Sequence, residues 1–187
     1  MDQFNWSPGI GDPTIGGWLT VVLYLLAVWT TWRASRTTAG RERMLWTAIS
    51  VMFLALGINK QLDLQTAFTE IGRIVAFKQG WYNERQIVQL HLIETVAVIC
   101  VAIALMLVLL AYDAPFSTWF GLVGMTIVLA FVLIRAASFH HIDRFIGERV
   151  LGMKWNWVLE MGGILIALFA SEQRRRTAAL VHSSRGG

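Results

Sequence analysis

A small set of side chains in this sequence has the chemistry of a metal or acid–base site. They are His91 and Glu94 in "HLIETV", Arg135 and Ser138 with His140, His141 and Asp143 in "RAASFHHID", Glu160 in "NWVLEMGG", and Asn59 and Asp63 in "NKQLD". Imidazole combined with carboxylate is a ligand set for zinc, and less selectively for iron or copper. His91, His140, His141 and Asp143 are therefore the expected ligands of a divalent metal, zinc first. A metal with an open coordination position, next to a carboxylate base, can hydrolyse an ester or amide. Glu94, Glu160 and Asp63 are the candidate bases, and Arg135, Ser138 and Asn59 are the polar groups expected to bind beside the metal. The sequence contains neither HExxH nor HxxxH, so any such site must be assembled from separate segments.

Those segments belong to a chain in which 56% of the 187 residues are hydrophobic and 15% charged, with a mean hydropathy of +0.55. Water-facing surface needs more charge than this, which points to lipid as the solvent. Apolar runs cover about 17–32, 44–59, 87–111, 118–138 and 155–171. A spanning helix needs ~20 apolar residues, with a range of about 17–25. The runs are also too continuous to alternate as barrel strands do. The expected fold is all-α, a single-domain integral membrane bundle of about five transmembrane helices. The acidic, Arg- and Lys-free start lacks the basic region of a cleavable signal peptide, so the first run is expected to remain as a helix.

Between the second and third runs, Leu64, Ala67, Phe68, Ile71, Ile74 and Val75 recur at helical spacing, opposite Thr66, Glu70 and Arg73. This pattern predicts an amphipathic interfacial helix over 64–78 on the outer side, capped by Asp63. Trp81 and Tyr82 suit a headgroup region. Small residues at Gly121, Gly124, Gly162, Gly163 and Ala167 permit close helix contact, within the chain or between copies. The lone Cys100 excludes an intrachain disulfide and reads as a small apolar core residue.

Orientation follows from arginine. The first run is followed by Arg33, Arg36, Arg41 and Arg43, and the fifth by Arg174, Arg175 and Arg176. Positive charge stays in the cytosol, so the N-terminus is expected outside and the C-terminus inside. The sequence pI of 9.7 then reflects helix ends and anionic lipid, because the basic residues do not interleave with aromatics as in a nucleic-acid surface. Membrane lipids are the expected partners, nucleic acid is not, and a homo-oligomer or a larger membrane complex is compatible with the small-residue faces.

In this orientation the candidate residues all lie toward the outer leaflet. His91 and Glu94 share nearly one face, one and two turns below the surface, and Glu160 has a similar depth. An ionisable group in hydrocarbon costs ~2.5–3.5 kcal/mol or more unless it has a partner or a wet cavity. Three uses for them stand open. One is metal-assisted chemistry on a lipid or lipid-soluble substrate. Another is a structural network, Arg135 with Glu94 or Glu160, in a non-catalytic accessory subunit or small-solute transport component. The last is a b-type haem held by His91 and His140 or His141.

At "LGINKQLDLQ", "KQGWYNERQ", "RAASFHHIDR" and "NWVLE" the chain resembles a family of small bacterial polytopic membrane proteins of uncharacterised function. The resemblance implies a bacterial inner-membrane location and carries no catalytic residue with it.

Overall fold

In the first helix, hydroxyl residues are housed inside an apolar segment by the helix's own backbone. Thr14 caps it, its Oγ1 accepting from the Gly17 amide at 3.2 Å. Thr20 donates to the Gly16 carbonyl at 2.8 Å, Thr31 to Ala27 at 2.6 Å and Ser35 to Trp32 at 2.7 Å. Bonds to carbonyls three or four residues back satisfy each hydroxyl without water, and Thr20, Thr31 and Ser35 are buried. The resulting helix, α1, runs Ile15–Thr37.

The computed structural model describes residues 14–62, 71, 74–75, 85–137, 149–150 and 153–185, with side chains for 14–62, 71, 74–75, 91, 94–134 and 157–180. Within them, α1 is followed by α2 (Gly40–Leu62), α3 (Arg85–Leu110), α4 (Phe116–Ala137) and α5 (Trp155–Arg185). A two-residue antiparallel ladder, β1 (Arg149–Val150) with β2 (Met153–Lys154), leads directly into α5. The interfacial helix expected over 64–78 lies, but for residues 71, 74 and 75, outside the described residues.

Short connections set the directions. Between α1 and α2, Gly40 takes a left-handed φ of 56°, a region that side chains disfavour. The chain reverses there, and α1 and α2 pack as an antiparallel pair. Ser50 of α2 donates across the pair to the Val28 carbonyl at 3.0 Å. Between α3 and α4, Ala114 bonds back to Ala111 at 2.9 Å, and the Pro115 carbonyl accepts from Thr118 at 2.8 Å to open α4. Successive helices thus alternate in direction. The ends of α1 and α3 and the starts of α2 and α4 form one end of the bundle, which also holds Arg174–Arg176 of α5. This is the arginine-rich end.

The most intimate contact is α4 against α5. A methyl group added at Gly124 would stand 2.6 Å from the Ala167 nitrogen and 2.7 Å from the Gly163 oxygen. Of the small residues noted in the sequence, Gly124, Gly163 and Ala167 therefore meet one another within the chain. Trp46, fully buried, reaches across from α2 into the space left by Gly121 on α4. Around this core the outward surface is apolar: Leu109 is 70% exposed and Phe169 78%. Such a jacket suits acyl chains, not water.

Among the described residues, three helices, Ile15–Thr37, Gly40–Leu62 and Phe116–Ile134, are long and apolar enough to cross a membrane. The fold is an all-α bundle of membrane-protein type. The helices exceed the apolar runs at most of their ends, and most of all in α5, which continues to Arg185 where the apolar run stops at 171. Glu172 carries this extension by pairing with Arg175 at 2.6 Å and Arg176 at 2.9 Å, both at helical spacing.

Two glycines one helix apart test the close contact. Gly124→Ala drives a methyl into α5 backbone and should cost ~1–3 kcal/mol. Gly162→Ala, whose methyl meets nothing within 4 Å, should be neutral or gain up to ~1 kcal/mol from helix propensity. Thermal unfolding of both variants in detergent checks the contrast, and equal melting temperatures would contradict it.

Candidate functional site

Among the described residues, one carboxylate is deeply buried in the apolar interior. Glu160, on the second turn of α5, is 2% exposed. Its Oε1 accepts from the Tyr24 hydroxyl at 3.1 Å, and its Oε2 from the Lys60 ammonium at 3.1 Å. Tyr24 comes from α1 and Lys60 from α2, so the cluster ties three helices together at the end opposite the arginines.

Local sequence explains the convergence. On α2, Phe53, Gly57 and Lys60 follow one another at spacings of four and three, which keeps them on one face. Gly57 admits the Tyr24 side chain, whose Cβ would lie 3.1 Å from a methyl there. Phe53 meets the Tyr24 ring edge to face, with centroids 6.1 Å apart. The phenol is held between them and its hydroxyl is delivered to Glu160. The Lys60 stem runs along the same apolar face, as long basic side chains do near helix ends.

A second carboxylate, part-buried, closes the other end. Glu42, on the first turn of α2, receives a two-pronged bond from Arg174 of α5: Nε to Oε1 at 2.6 Å and Nη2 to Oε2 at 2.9 Å. Thr118 of α4 donates to Oε1 at 2.5 Å. The Trp46 indole, one turn along α2, is near enough to the carboxylate to attract it, but its Nε1 makes no hydrogen bond among the described residues. Paired, forked geometry of this kind is the strong form of a charge-assisted bond. Arg41 and Asp113 approach at 3.6 Å nearby, both largely exposed.

The residues singled out in the sequence are distributed unevenly. Glu160 is in the buried cluster, and Asn59 stands beside Lys60 on α2, half-buried. Glu160 is met by Lys60, the residue immediately after the second apolar run, whereas Arg135 lies on α4 with its side chain outside the description. His91 and Glu94 are on α3, exposed on its surface. Asp63, Ser138, His140, His141 and Asp143 lie outside the described residues. Among the described residues no group of three His, Cys, Asp or Glu side chains is placed to hold a metal.

Tyr24, Lys60, Glu42 and Arg174 were missed in the sequence because they sit inside or just beyond apolar windows. One signal could have found two of them. The buried face of α2, Leu45, Trp46, Ile49 and Phe53, extends by one turn backward to Glu42 and by two turns forward to Lys60. Comparison of the chain with family models, curated proteins and solved structures finds no match.

The buried Lys60–Glu160 pair and the superficial pairs of Glu172 respond differently to perturbation. Lys60→Met strands the Glu160 carboxylate and should destabilise the bundle by ~3–5 kcal/mol, while Lys60→Met with Glu160→Leu should recover most of that loss. A double-mutant cycle by thermal unfolding reads the difference; additive effects would show that the pair does not interact. Glu172, outside the spanning segments, is pulled by Arg175 and then Arg176 from 4.5 down to about 2. A lowered value in the folded state stabilises above the ordinary pKa, and this contribution is lost as pH falls from about 4.5 through about 2. Far-UV circular dichroism should therefore show fraying of the α5 extension over that window. The effect should be small for so superficial a group, roughly 0.5 kcal/mol, and absent in Glu172→Gln.

Proposed function

We propose that this chain is a non-catalytic accessory component of a bacterial inner membrane, in which intramembrane charge fixes helix packing. The observation that supports the reading is the condition of Glu160. Tyr24 and Lys60 each occupy one of its oxygens, and the group is 2% exposed. A carboxylate so enclosed has no free face from which to take a proton from a substrate or a water, and its chemistry is to hold α1, α2 and α5 in register.

In this reading all five helices cross the bilayer, the segment 64–78 lies on the outer leaflet, and the arginine-rich end faces the cytosol. Their alternating direction supports the crossings, and Arg33, Arg36, Arg41, Arg43 and Arg174–Arg176 at one end support the orientation. The apolar jacket then meets lipid and the helices of partner proteins.

A second reading is favoured by one feature of the topology. α3 begins and α4 ends at the same end of the bundle as Glu160. His91 and Glu94 therefore belong to the end at which the segment carrying Ser138, His140, His141 and Asp143 leaves α4. Zinc held by these histidines and Asp143 would supply a Lewis acid for chemistry on a lipid or lipid-soluble substrate, with Glu94 or Asp63 as base. A b-type haem on His91 and His140 or His141 would use the same residues.

Purification in mild detergent without chelator separates the readings. An accessory role requires a membrane partner in fixed stoichiometry, with neither metal nor a haem absorption band. Stoichiometric zinc that disappears in His91→Ala would overturn it in favour of the hydrolytic reading.

A further inference from the structure

At the arginine-rich end, α1 carries a feature that the packing of the bundle does not use. Trp29 and Trp32 are about half exposed, on the face opposite the buried Ala27, Thr31 and Ala34. The Arg33 guanidinium lies over the Trp29 ring, 4.6 Å from its centroid, and Arg36 lies over Trp32 at 5.7 Å. Each arginine is thus laid back on the indole one turn before it.

Two further facts set these arginines apart. Arg41, Arg174, Arg175 and Arg176 at the same end each face a carboxylate. Among the described residues, Arg33, Arg36 and Arg43 form no ion pair with one, and of these three Arg33 and Arg36 are the ones stacked on an indole. Their depth is also particular. From Ile15 to Arg33 the helix rises ~27 Å at ~1.5 Å per residue, close to the ~30 Å of a hydrocarbon core. The lipid-facing stripe of Val22, Leu25 and Leu26 therefore ends in two indoles and then two guanidinium groups, at the level where acyl chains give way to phosphate.

We propose that the Trp29–Arg33 and Trp32–Arg36 pairs form a binding site for the headgroup of an anionic phospholipid. The guanidinium forks match phosphate oxygens two at a time, which an ammonium cannot do. Stacking on the indoles restrains the forks before the lipid arrives, so less freedom is lost on binding. The indoles themselves cover the glycerol and upper acyl region, the depth that tryptophan prefers. An acidic protein helix would satisfy the charge but has no use for the apolar stripe continuing below, whereas a phospholipid fills both. The site is at the opposite end of the bundle from Glu160 and stands whether that cluster is structural or catalytic.

The test uses the full chain in nanodiscs of mixed phosphatidylglycerol and phosphatidylcholine, extracted in detergent, with retained lipid counted by mass spectrometry. Wild type should retain phosphatidylglycerol preferentially. Arg33→Gln with Arg36→Gln should cut that preference about five- to tenfold. Arg41→Gln with Arg43→Gln, the same charge loss at the same end, should leave it nearly unchanged. Arg33→Lys with Arg36→Lys keeps the charge but loses the fork, and should fall between. If the glutamine pair does not fold, as judged by circular dichroism, Trp29→Leu with Trp32→Leu carries the test and should weaken the preference by about threefold. An equal loss in the Arg41 and Arg43 variant, or full retention in the lysine variant, would reduce the site to diffuse charge and overturn the proposal. So would a wild type without lipid preference that instead retains an acidic protein lost in the Arg33 and Arg36 variant.

Discussion

A carboxylate away from water must find a cation, and the architecture of this bundle follows from where two carboxylates, the buried Glu160 and the part-buried Glu42, find theirs. Glu160 meets Lys60 and Tyr24; Glu42 meets Arg174 and Thr118. Each cluster draws on three helices, the first on α1, α2 and α5 and the second on α2, α4 and α5. The shared members, α2 and α5, are thereby fixed against one another at both ends, although the extensive packing surfaces are α1 on α2 and α4 on α5. Apolar packing alone provides no comparable register, because lipid tails compete on nearly equal terms with leucine and valine.

Between the two clusters, size takes over from charge. Gly124 and Gly163 bring the backbones of α4 and α5 together, and Gly121 makes room for Trp46. Trp46 lies on the same face of α2 as Glu42, one turn along, and its ring packs against α4 at Gly121. The aliphatic hydroxyls of α1 are satisfied by their own helix, and among the described residues Ser50, Thr118 and Tyr24 are the hydroxyl residues that bond across to another. The economy is that of a chain with few polar groups, nearly all of them placed at helix ends or bound locally.

How much of this was legible in the sequence depended on which physical signal was being read. Continuous hydropathy revealed an all-α membrane-type bundle, because in hydrocarbon only helices and closed barrels satisfy the backbone, and the apolar runs do not alternate as barrel strands do. It also exposed Glu160 as a group in need of a partner. It concealed the partner, since an apolar window ends at the first charge and assigns Lys60 to a loop, whereas the helix continues to Leu62. Glu42 was hidden in the same way within an arginine-rich turn, and the α5 extension by its charge, although its Glu172 pairs stabilise helix. The correct signal at all three places was the periodicity of the face, which continues past the point where apolarity stops. Small residues were the opposite case: their spacing was evident, and only coordinates could show that Gly124 and Gly163 bring α4 and α5 together within the chain.

The same reasoning separates two kinds of charge in this molecule. Charges on the core face of a helix, such as Lys60 and Glu42, are neutralised within the chain and determine its shape. Arg33 and Arg36 stand on the lipid face of α1, one turn after tryptophans that hold them in place, where no carboxylate of the described chain meets them. A positive group at that depth is neutralised by whatever the membrane supplies, and the membrane supplies phosphate. For these four charges the helix face thus points to the partner: inward, for Lys60 and Glu42, another helix; outward, for Arg33 and Arg36, the bilayer itself.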